Sequence, residues 1–223
     1  MINTDKNTIK GSGIITNEQR EISSFDKIEI SSGPFEVYIQ QGDTENVEIE
    51  TDDNFHQYIT VENDENNLFL GFKEDIRINR KSKVIVHITV KTIDMLSVSG
   101  VCTLNFTDPL YCELLNLDVE GVFKGNLEIY CNTLIANLQG VADVKLHGSA
   151  DILTVSQEGV GSFNAMDFIA NKAIVSNSGV GNVSVNATQE LSMTNSGVGS
   201  ITYSGDAKIV SLDASGIGKI KKK

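Results

Sequence analysis

Three carboxylates in the second half of the chain have the residue types and spacing that glycoside hydrolysis requires. Asp118 and Glu120 lie close together, Glu158 follows later, and Gln139 is midway between the two glutamates. If the chain winds into coils of nearly constant length, the two glutamates lie two coils apart, which is roughly 9.6 Å. An inverting glycosidase holds its two carboxyl groups about 6.5–9.5 Å apart. The spacing of these carboxylates is therefore compatible with a polysaccharide-active enzyme. An acidic face that is simply exposed to solvent would show the same spacing.

The same residues offer oxygen ligands for calcium. Asp118, Glu120 and Asp143 can converge on an ion together with backbone carbonyl oxygens. The chain has no Gly-Gly-x-Gly-x-Asp array of the kind that binds calcium in repeat proteins, and its three histidines are too widely separated to assign a Ser-His-Asp order. We therefore predict no catalytic residue, no metal site and no cofactor. The residues retained as candidates for ligand binding are Asp118, Glu120, Gln139, Asp143 and Glu158.

A glycine-centred motif along the last three-fifths of the chain predicts the elements that position these side chains. The glycines of successive motifs are 21, 19, 19, 20, 18 and 19 residues apart. A near-constant period of this length is typical of a solenoid, in which each repeat forms one coil stacked on the previous one. The motif glycines, predicted to be structural, are Gly100, Gly121, Gly140, Gly159, Gly179, Gly197 and Gly216.

Columns at fixed distances from the glycine alternate between apolar and polar residues, which predicts short strands with one face inward. Positions four before and four after the glycine are apolar, with Gly125 as an exception, and positions three before and five after it are polar. The position directly after the glycine always carries a β-branched apolar residue, which we expect to be buried in a strand. That column consists of Val101, Val122, Val141, Val160, Val180, Val198 and Ile217.

The glycine itself is expected where the chain turns with a positive φ, or where coils approach too closely for a Cβ. Strands of successive coils then pair in parallel, roughly 4.8 Å apart. We therefore predict an all-β fold, a right-handed parallel β-helix of about seven regular coils over residues 99–220. The right hand follows from the general preference for right-handed crossovers.

The first hundred residues are also rich in strand patterns, with less regularity. Segments of strand character are separated by turn signals, and residues 32–37 are a degenerate copy of the later motif. We expect residues 14–98 to form irregular β-rich coils or a cap that continues the regular stack. Residues 1–13 are expected to be a disordered or expression-derived terminus. Residues 221–223, a run of three lysines, are expected to be a basic tail that blunts the open edge of the last coil.

Two of the three cysteines support this register. Cys112 and Cys131 each lie nine residues before a motif glycine, so they share a column that continues with Ala150 and Ala170. A ladder of small side chains explains both cysteines, and a disulfide between neighbouring coils is the alternative. A metal site is not indicated, because Cys102 lies in a different column and no Cys-x-x-Cys is present.

The overall charge limits the possible partners. The chain has 30 acidic and 18 basic residues, for a formal net charge of −12, which argues against nucleic acid and anionic membranes. It has no tryptophan and no apolar run long enough to span a bilayer. We predict no nucleic-acid partner and no membrane span, whereas a glycan or a surface protein is compatible as a partner. The oligomeric state is left open.

The order of several motifs resembles a known bacterial family over roughly residues 14–220. The chain is similar to the domain named "head GIN domain, putative auto-transporter adhesin". The resemblance implies a β-helix-like fold, an extracytoplasmic, secreted or envelope-anchored protein, and no established enzyme activity. It supplies no catalytic residues, and residues 1–13 contain no export signal. The segments that carry it are 25–30, 33–37, 41–43, 47–54, 179–182 and 197–200.

These observations favour a non-enzymatic β-solenoid of the cell envelope or cell surface. It presents polar ladders of Asn, Ser, Thr and Asp to a partner, as an adhesin or as a glycan- or protein-binding module. The first alternative is a polysaccharide-active β-helix enzyme that uses Asp118, Glu120 and Glu158. The second alternative is a structural or assembly protein of the bacterial envelope.

Overall fold

The structure is a computed structural model that describes residues 8–73, 76–79 and 82–223. Strands dominate these residues, and the only helix among them is a short 3₁₀ turn, His56–Tyr58. The strands of the irregular first part are β1 (Thr8–Ile9), β2 (Ile15–Arg20), β3 (Lys27–Ile30), β4 (Pro34–Gln41), β5 (Asn46–Asp52), β6 (Ile59–Asp64), β7 (Asn67–Phe72), β8 (Arg77–Ile78) and β9 (Val84–Val90). The strands of the regular part are β10 (Met95–Val98), β11 (Val101–Phe106), β12 (Leu110–Val119), β13 (Val122–Leu138), β14 (Val141–Gln157), β15 (Val160–Asn177), β16 (Val180–Asn195), β17 (Ile201–Ser204), β18 (Lys208–Asp213) and β19 (Ile220–Lys222).

Each regular coil stacks on the previous one through parallel strands. β13 pairs with β14 from Val122 opposite Val141 to Leu138 opposite Gln157, and the next two pairs continue this register with local bulges. A strand of 17 residues covers almost one whole coil, so it must bend at the corners to return to its starting side. The chain is an all-β solenoid of about seven turns, which confirms the predicted fold class.

Side chains alternate between the inside and the outside of each coil. In β13, Phe123, Leu127 and Ile129 are buried, whereas Lys124 and Asn126 are exposed. Because the coils are in register, buried side chains of successive coils lie in the same columns, and one apolar core runs along the whole stack. Each coil buries its apolar face only against its neighbours, so the stability of the stack depends on the contacts between coils.

The core becomes polar at one corner of the later coils. The Nδ2 atom of Asn177 donates to Oδ1 of Asn195 at 3.0 Å, and Nδ2 of Asn195 donates to the carbonyl oxygen of Gly199 at 2.9 Å. Gly199 has a φ of 140°, a conformation that favours glycine. Gly199, which lies two residues after the motif glycine Gly197, and the buried Asn195 therefore form one structural unit. One coil earlier Gln157 occupies the same column, fully buried, and its amide has no hydrogen-bond partner among the described residues.

The order of coils in the stack differs from their order in the sequence. β3 pairs in parallel with β10 on one side and with β7 on the other, and β4 pairs in parallel with β11 and β9. Residues 27–41 therefore form a coil between residues 67–90 and the regular coils. Pro34 lies opposite Val101 and Phe35 opposite Cys102, as the degenerate motif copy predicts.

Antiparallel pairs flank the coil formed by residues 67–90. β5 pairs antiparallel with β2 and β9, and β6 pairs antiparallel with β7. β1 pairs with β8, and the backbone N–H of Gly13 donates to Asp52 at 2.6 Å, so residues 8–13 pack against the rest of the chain. The remainder of the predicted N-terminal segment, residues 1–7, lies outside the described residues. At the other end, the predicted basic tail contributes to β19, which pairs with β17.

Candidate functional site

The column directly after the motif glycine forms a continuous exposed apolar line. Our expectation that this column is buried is wrong, because its valines are 46–51% exposed and Ile217 is 76% exposed. Neighbouring members lie opposite each other in consecutive coils. We call this line the valine ridge, and it consists of Val101, Val122, Val141, Val160, Val180, Val198 and Ile217.

The alternation of the strands explains why the ridge points outward. Columns an even number of residues from the glycine, such as those four before and four after it, point inward. The ridge lies one residue after the glycine and therefore shares the outward face with the polar columns three before and five after it. The β-branched residue type indicated burial, but the period of two decides the direction. This signal was present in the sequence and would have identified the ridge.

The motif glycines form a furrow beside the ridge. A Cβ on Gly140 would lie 2.0 Å from the carbonyl oxygen of Gly121, and a Cβ on Gly159 would lie 1.9 Å from that of Gly140. The motif glycines do not have positive φ values, so close approach of the coils explains this column. The same carbonyl oxygens accept hydrogen bonds from the ridge, such as the one from the N–H of Val141 to Gly121 at 2.8 Å. The ridge and the furrow are therefore held by one set of backbone contacts.

Recesses lie along both ends of the ridge. Over the last coils, a groove of about 490 Å³ has the glycines as its floor and the ridge as one side, and its opposite wall consists of Glu158, Ser178, Ser196 and Ser215. Over the first coils, a recess of about 480 Å³ is lined by Val101 and Val122 together with Phe72, Ile76 and Ile78. The ridge is thus bordered by a mostly serine wall at one end and, at the other, by apolar residues together with Arg77 and Ser99.

The wall opposite the ridge contains three of the five predicted ligand candidates. Glu120, Gln139 and Glu158 each precede a motif glycine and are exposed. The register keeps Gln139 between the two glutamates, so the glutamates lie two coils apart, roughly 9.6 Å. They form one side of an open furrow, and Ser156 donates to Glu158 at 3.3 Å.

The other two candidates lie on the two faces that meet at this corner. Asn137 donates to Asp118 at 2.7 Å, and Ser162 donates to Asp143 at 2.6 Å. Each carboxylate is therefore bonded to a polar side chain of the next coil. Within the described residues, no group of three or more His, Cys, Asp or Glu side chains is arranged to hold a metal ion. The five candidates stay predictions as ligand-binding residues.

The cysteines form the ladder that their spacing predicts. Cys112 lies opposite Cys131, and both thiols are free. A hydrogen bond between the two thiols lowers the pKa of Cys112 and raises the pKa of Cys131. Burial raises the pKa of the Cys102 thiol to about 12.

Comparison with known protein families identifies the family of this solenoid. Residues 24–207 match the family model described as "Putative auto-transporter adhesin, head GIN domain". The chain belongs to this family. The resemblance that the sequence motifs indicate is thereby confirmed. A comparison with curated proteins finds no match.

Solved structures show how closely this head GIN domain follows its relatives. A "putative adhesin" from Bacteroides fragilis is 30% identical and has a TM-score of 0.92, with 96% of this chain and 100% of that chain covered. A "putative lipid binding protein" from Parabacteroides distasonis is 22% identical and has a TM-score of 0.73, with 97% of this chain and 100% of that chain covered. The second likeness shows the shared fold alone. None of the helices among the described residues is long and apolar enough to cross a membrane.

A further recess of this head GIN domain, away from the ridge, lies at the junction of the irregular and regular coils. The rings of Tyr111 and Tyr130 stack with centroids 5.3 Å apart, and Tyr111 is 59% exposed. Tyr111 lines a recess of about 710 Å³ together with Asp43, Lys91 and Asp108.

Proposed function

We propose that this chain is a non-enzymatic binding module of the cell surface or envelope and that the valine ridge is its contact surface. The observation that supports this most is the exposure of seven β-branched apolar residues in one line. The largest exposed apolar patch of a protein is often functional, and a contiguous patch bordered by polar residues marks an interaction site. The family description and the B. fragilis relative, both described as adhesins, support the same role.

The energy of covering the ridge reaches the lower part of the range that association requires. Complete burial of a valine side chain contributes about 1.5–3 kcal/mol, so burying the exposed half contributes about 1 kcal/mol. The seven residues of the valine ridge, each of which we call a rung, then contribute about 7 kcal/mol from this surface alone. Association costs roughly 4–15 kcal/mol in lost translational and rotational freedom. The partner must therefore cover most of the ridge to bind measurably, and a contact with one or two rungs is too weak.

The ridge is also rigid before a partner arrives. The N–H groups of Val160, Val180 and Val198 each donate to the carbonyl oxygen of the motif glycine one coil earlier, at 2.8–2.9 Å. Each rung is thus held by the backbone of the coil before it, and little conformational entropy is lost when the ridge is covered. A rigid surface that repeats coil by coil is the usual binding surface of solenoid proteins.

The test uses two matched double variants that each add two negative charges. V141E/V180E places carboxylates on the ridge, and N126E/N164E places them in an exposed polar column where both flank Lys145. The labelled proteins are applied to bacterial cells, host matrix proteins, envelope proteins and a glycan array.

We expect the native protein and N126E/N164E to bind a common target and V141E/V180E to bind at least tenfold more weakly. Far-UV circular dichroism of all three checks that the fold is retained. Equal binding by the two double variants, or no binding to any of these surfaces by the native protein, would contradict the proposed function.

A further inference from the structure

We infer that Cys112 and Cys131 together form a binding site for a soft monovalent metal ion, of the kind represented by Cu⁺ and Ag⁺. The site lies away from the valine ridge and does not depend on the proposed function. The residue pattern argues against a metal site that uses all three cysteines, because Cys102 lies in another column. An ion that takes two ligands needs only the two cysteines that lie opposite each other in neighbouring coils.

The spacing of the coils sets the distance between the two thiols. Cys112 in β12 lies directly opposite Cys131 in β13, so both side chains leave the sheet on the same face, about 4.8 Å apart. A thiolate binds a metal ion such as zinc at about 2.3 Å, so two thiolates on opposite sides of one ion lie about 4.6 Å apart. One ion therefore fits between the two coils with little movement of either strand.

A disulfide requires a closer approach than this spacing. Its Cβ atoms lie about 3.5–4.5 Å apart, and both thiols are free in the structure. Contacts on either side of the pair hold the strands in place. The rings of Tyr111 and Tyr130 stack with centroids 5.3 Å apart one residue earlier, and Asn132 donates to Glu113 one residue later. The two cysteines are therefore kept as an open dithiol.

The two sulfur atoms already face each other, because a hydrogen bond joins the thiols. A monovalent metal ion carries the same charge as the proton that lies between them. It takes the place of that proton between two thiolates, and the displaced protons pass to solvent.

The charges around the pair favour a cation. The carboxylates of Asp94 and Glu113 act electrostatically on Cys112. The carboxylate of Asp151 acts in the same way on Cys131. Negative charge on both sides of the pair opposes the formation of two bare thiolates and attracts a positive ion that neutralises them.

The number of ligands selects the kind of ion. Within the part of the chain that the structure describes, no group of three or more His, Cys, Asp or Glu side chains is arranged to hold a metal ion. The cysteine column continues with Ala150, which has no donor atom. Structural zinc sites have four ligands, and calcium takes about six to eight oxygen ligands. Thiolates select soft ions such as Cu⁺, and monovalent ions of this kind accept two thiolates in a line.

The position of the pair allows an ion to enter and then shields it. Both cysteines are partly buried and pack against the hydrophobic core, whereas Ala150 in the next coil is only 6% exposed. The thiols are thus reached from solvent on one side and border apolar side chains on the other. Apolar surroundings strengthen the attraction between the cation and its thiolates.

The experiment varies the distance between two thiols and keeps their number constant. In C131A/A150C the remaining thiols of the column lie two coils apart, roughly 9.6 Å, which is too far for one ion to bridge. In C112A/A150C the two thiols lie in neighbouring coils again, one coil further along the stack. The control C102A removes the third thiol from a column in which Ala142 already occurs.

Each full-length protein is reduced, kept under nitrogen and titrated with Ag⁺ by isothermal titration calorimetry in nitrate buffer. A second titration uses Cu⁺ in competition with a chromogenic chelator. Far-UV circular dichroism checks that each variant retains the fold of the native chain, and size-exclusion chromatography checks that each complex is monomeric.

We expect the native chain, C102A and C112A/A150C each to bind one ion per chain, with dissociation constants within roughly tenfold of one another. C131A/A150C should bind at least about a hundredfold more weakly, because its second thiolate is no longer held within reach of the ion. Equal affinities of C112A/A150C and C131A/A150C would show that single thiols bind the ion and would overturn the site. Failure of the native chain to bind Ag⁺ would overturn it without reference to the variants.

Two further measurements test the choice of ion and the spacing of the thiols. Zinc in roughly tenfold excess should leave Ag⁺ bound, since two thiolates do not complete a four-ligand zinc site. Displacement of Ag⁺ by zinc would overturn the choice of a monovalent ion. After incubation of the metal-free chain with oxidised glutathione, peptide mass spectrometry should find no disulfide between Cys112 and Cys131. Such a disulfide would show that the coils approach more closely than the two-ligand site requires, and the inference would fail.

Discussion

Substitution of one motif glycine tests the packing that underlies the whole solenoid. In Gly140→Ala, the new Cβ would lie 2.0 Å from the carbonyl oxygen of Gly121, so the coils must separate by more than an ångström to restore an ordinary contact. The same oxygen accepts the N–H of Val141 at 2.8 Å. Separation of the coils therefore also weakens a hydrogen bond that holds the ridge.

The expected magnitude follows from these contacts. Overpacking in a well-packed region costs about 1–3 kcal/mol, and the weakened hydrogen bond costs about 1 kcal/mol. Alanine also lowers the conformational entropy of the unfolded chain, and this offsets about 0.4–1 kcal/mol of the lost stability. We therefore expect Gly140→Ala to lower the free energy of unfolding by about 2–3 kcal/mol. With a urea m-value of about 3 kcal/mol/M for a chain of this size, the unfolding midpoint falls by roughly 1 M.

Gly100→Ala is the matched control, because this glycine has the same motif position at the start of the regular coils. A Cβ there would meet backbone atoms of Ser32 at 3.1 Å, so a shift of a few tenths of an ångström is enough. We expect a change of less than about 1 kcal/mol. Urea unfolding followed by far-UV circular dichroism measures both variants. Equal stability of Gly140→Ala and Gly100→Ala, or a loss below 1 kcal/mol in Gly140→Ala, would refute the close-approach explanation of the glycine column.

Three further outcomes follow from the core and the thiols. Gln157→Leu should stabilise the chain by about 1–3 kcal/mol in the same urea assay, because it removes a buried amide that has no described partner; lower stability would show that the amide is satisfied. Asn195→Ala should cost about 1–3 kcal/mol, because it removes the bond to Gly199 and the bond from Asn177, whose amide keeps only a longer bond to the carbonyl oxygen of Gly181 at 3.4 Å; a loss below 0.5 kcal/mol would contradict this. In alkylation at pH 8 followed by peptide mass spectrometry, Cys112 should react first because its pKa is lowered. Cys102 should react only after unfolding, because burial raises its pKa to about 12 and limits access; early labelling of Cys102 would disprove its burial.

The glycine period and the alternation of residue types predicted the solenoid, its register and the shared column of Cys112 and Cys131. These properties are local and repetitive, so each coil repeats the same information. The error at the valine ridge arose because residue type was given more weight than the period of two. At Val141, the position between Gly140 and the buried Ala142 requires an outward side chain. The predicted acidic candidates lie beside the ridge, but their role in binding depends on a partner that residue spacing does not identify.

What the sequence by itself determined is the coil: its length, its parallel stacking and the alternation that separates core from surface. These follow from a steric requirement at glycine and from the pleat of the strand, which both act within one repeat. Only the tertiary structure decided that residues 27–41 lie between two later segments of the chain, because pairings between distant strands depend on the packing of the whole stack. It also decided that half-exposed valines line a furrow without side chains. The furrow arises because each motif glycine contacts the carbonyl group of the coil before it, and this contact exists only when the coils are stacked.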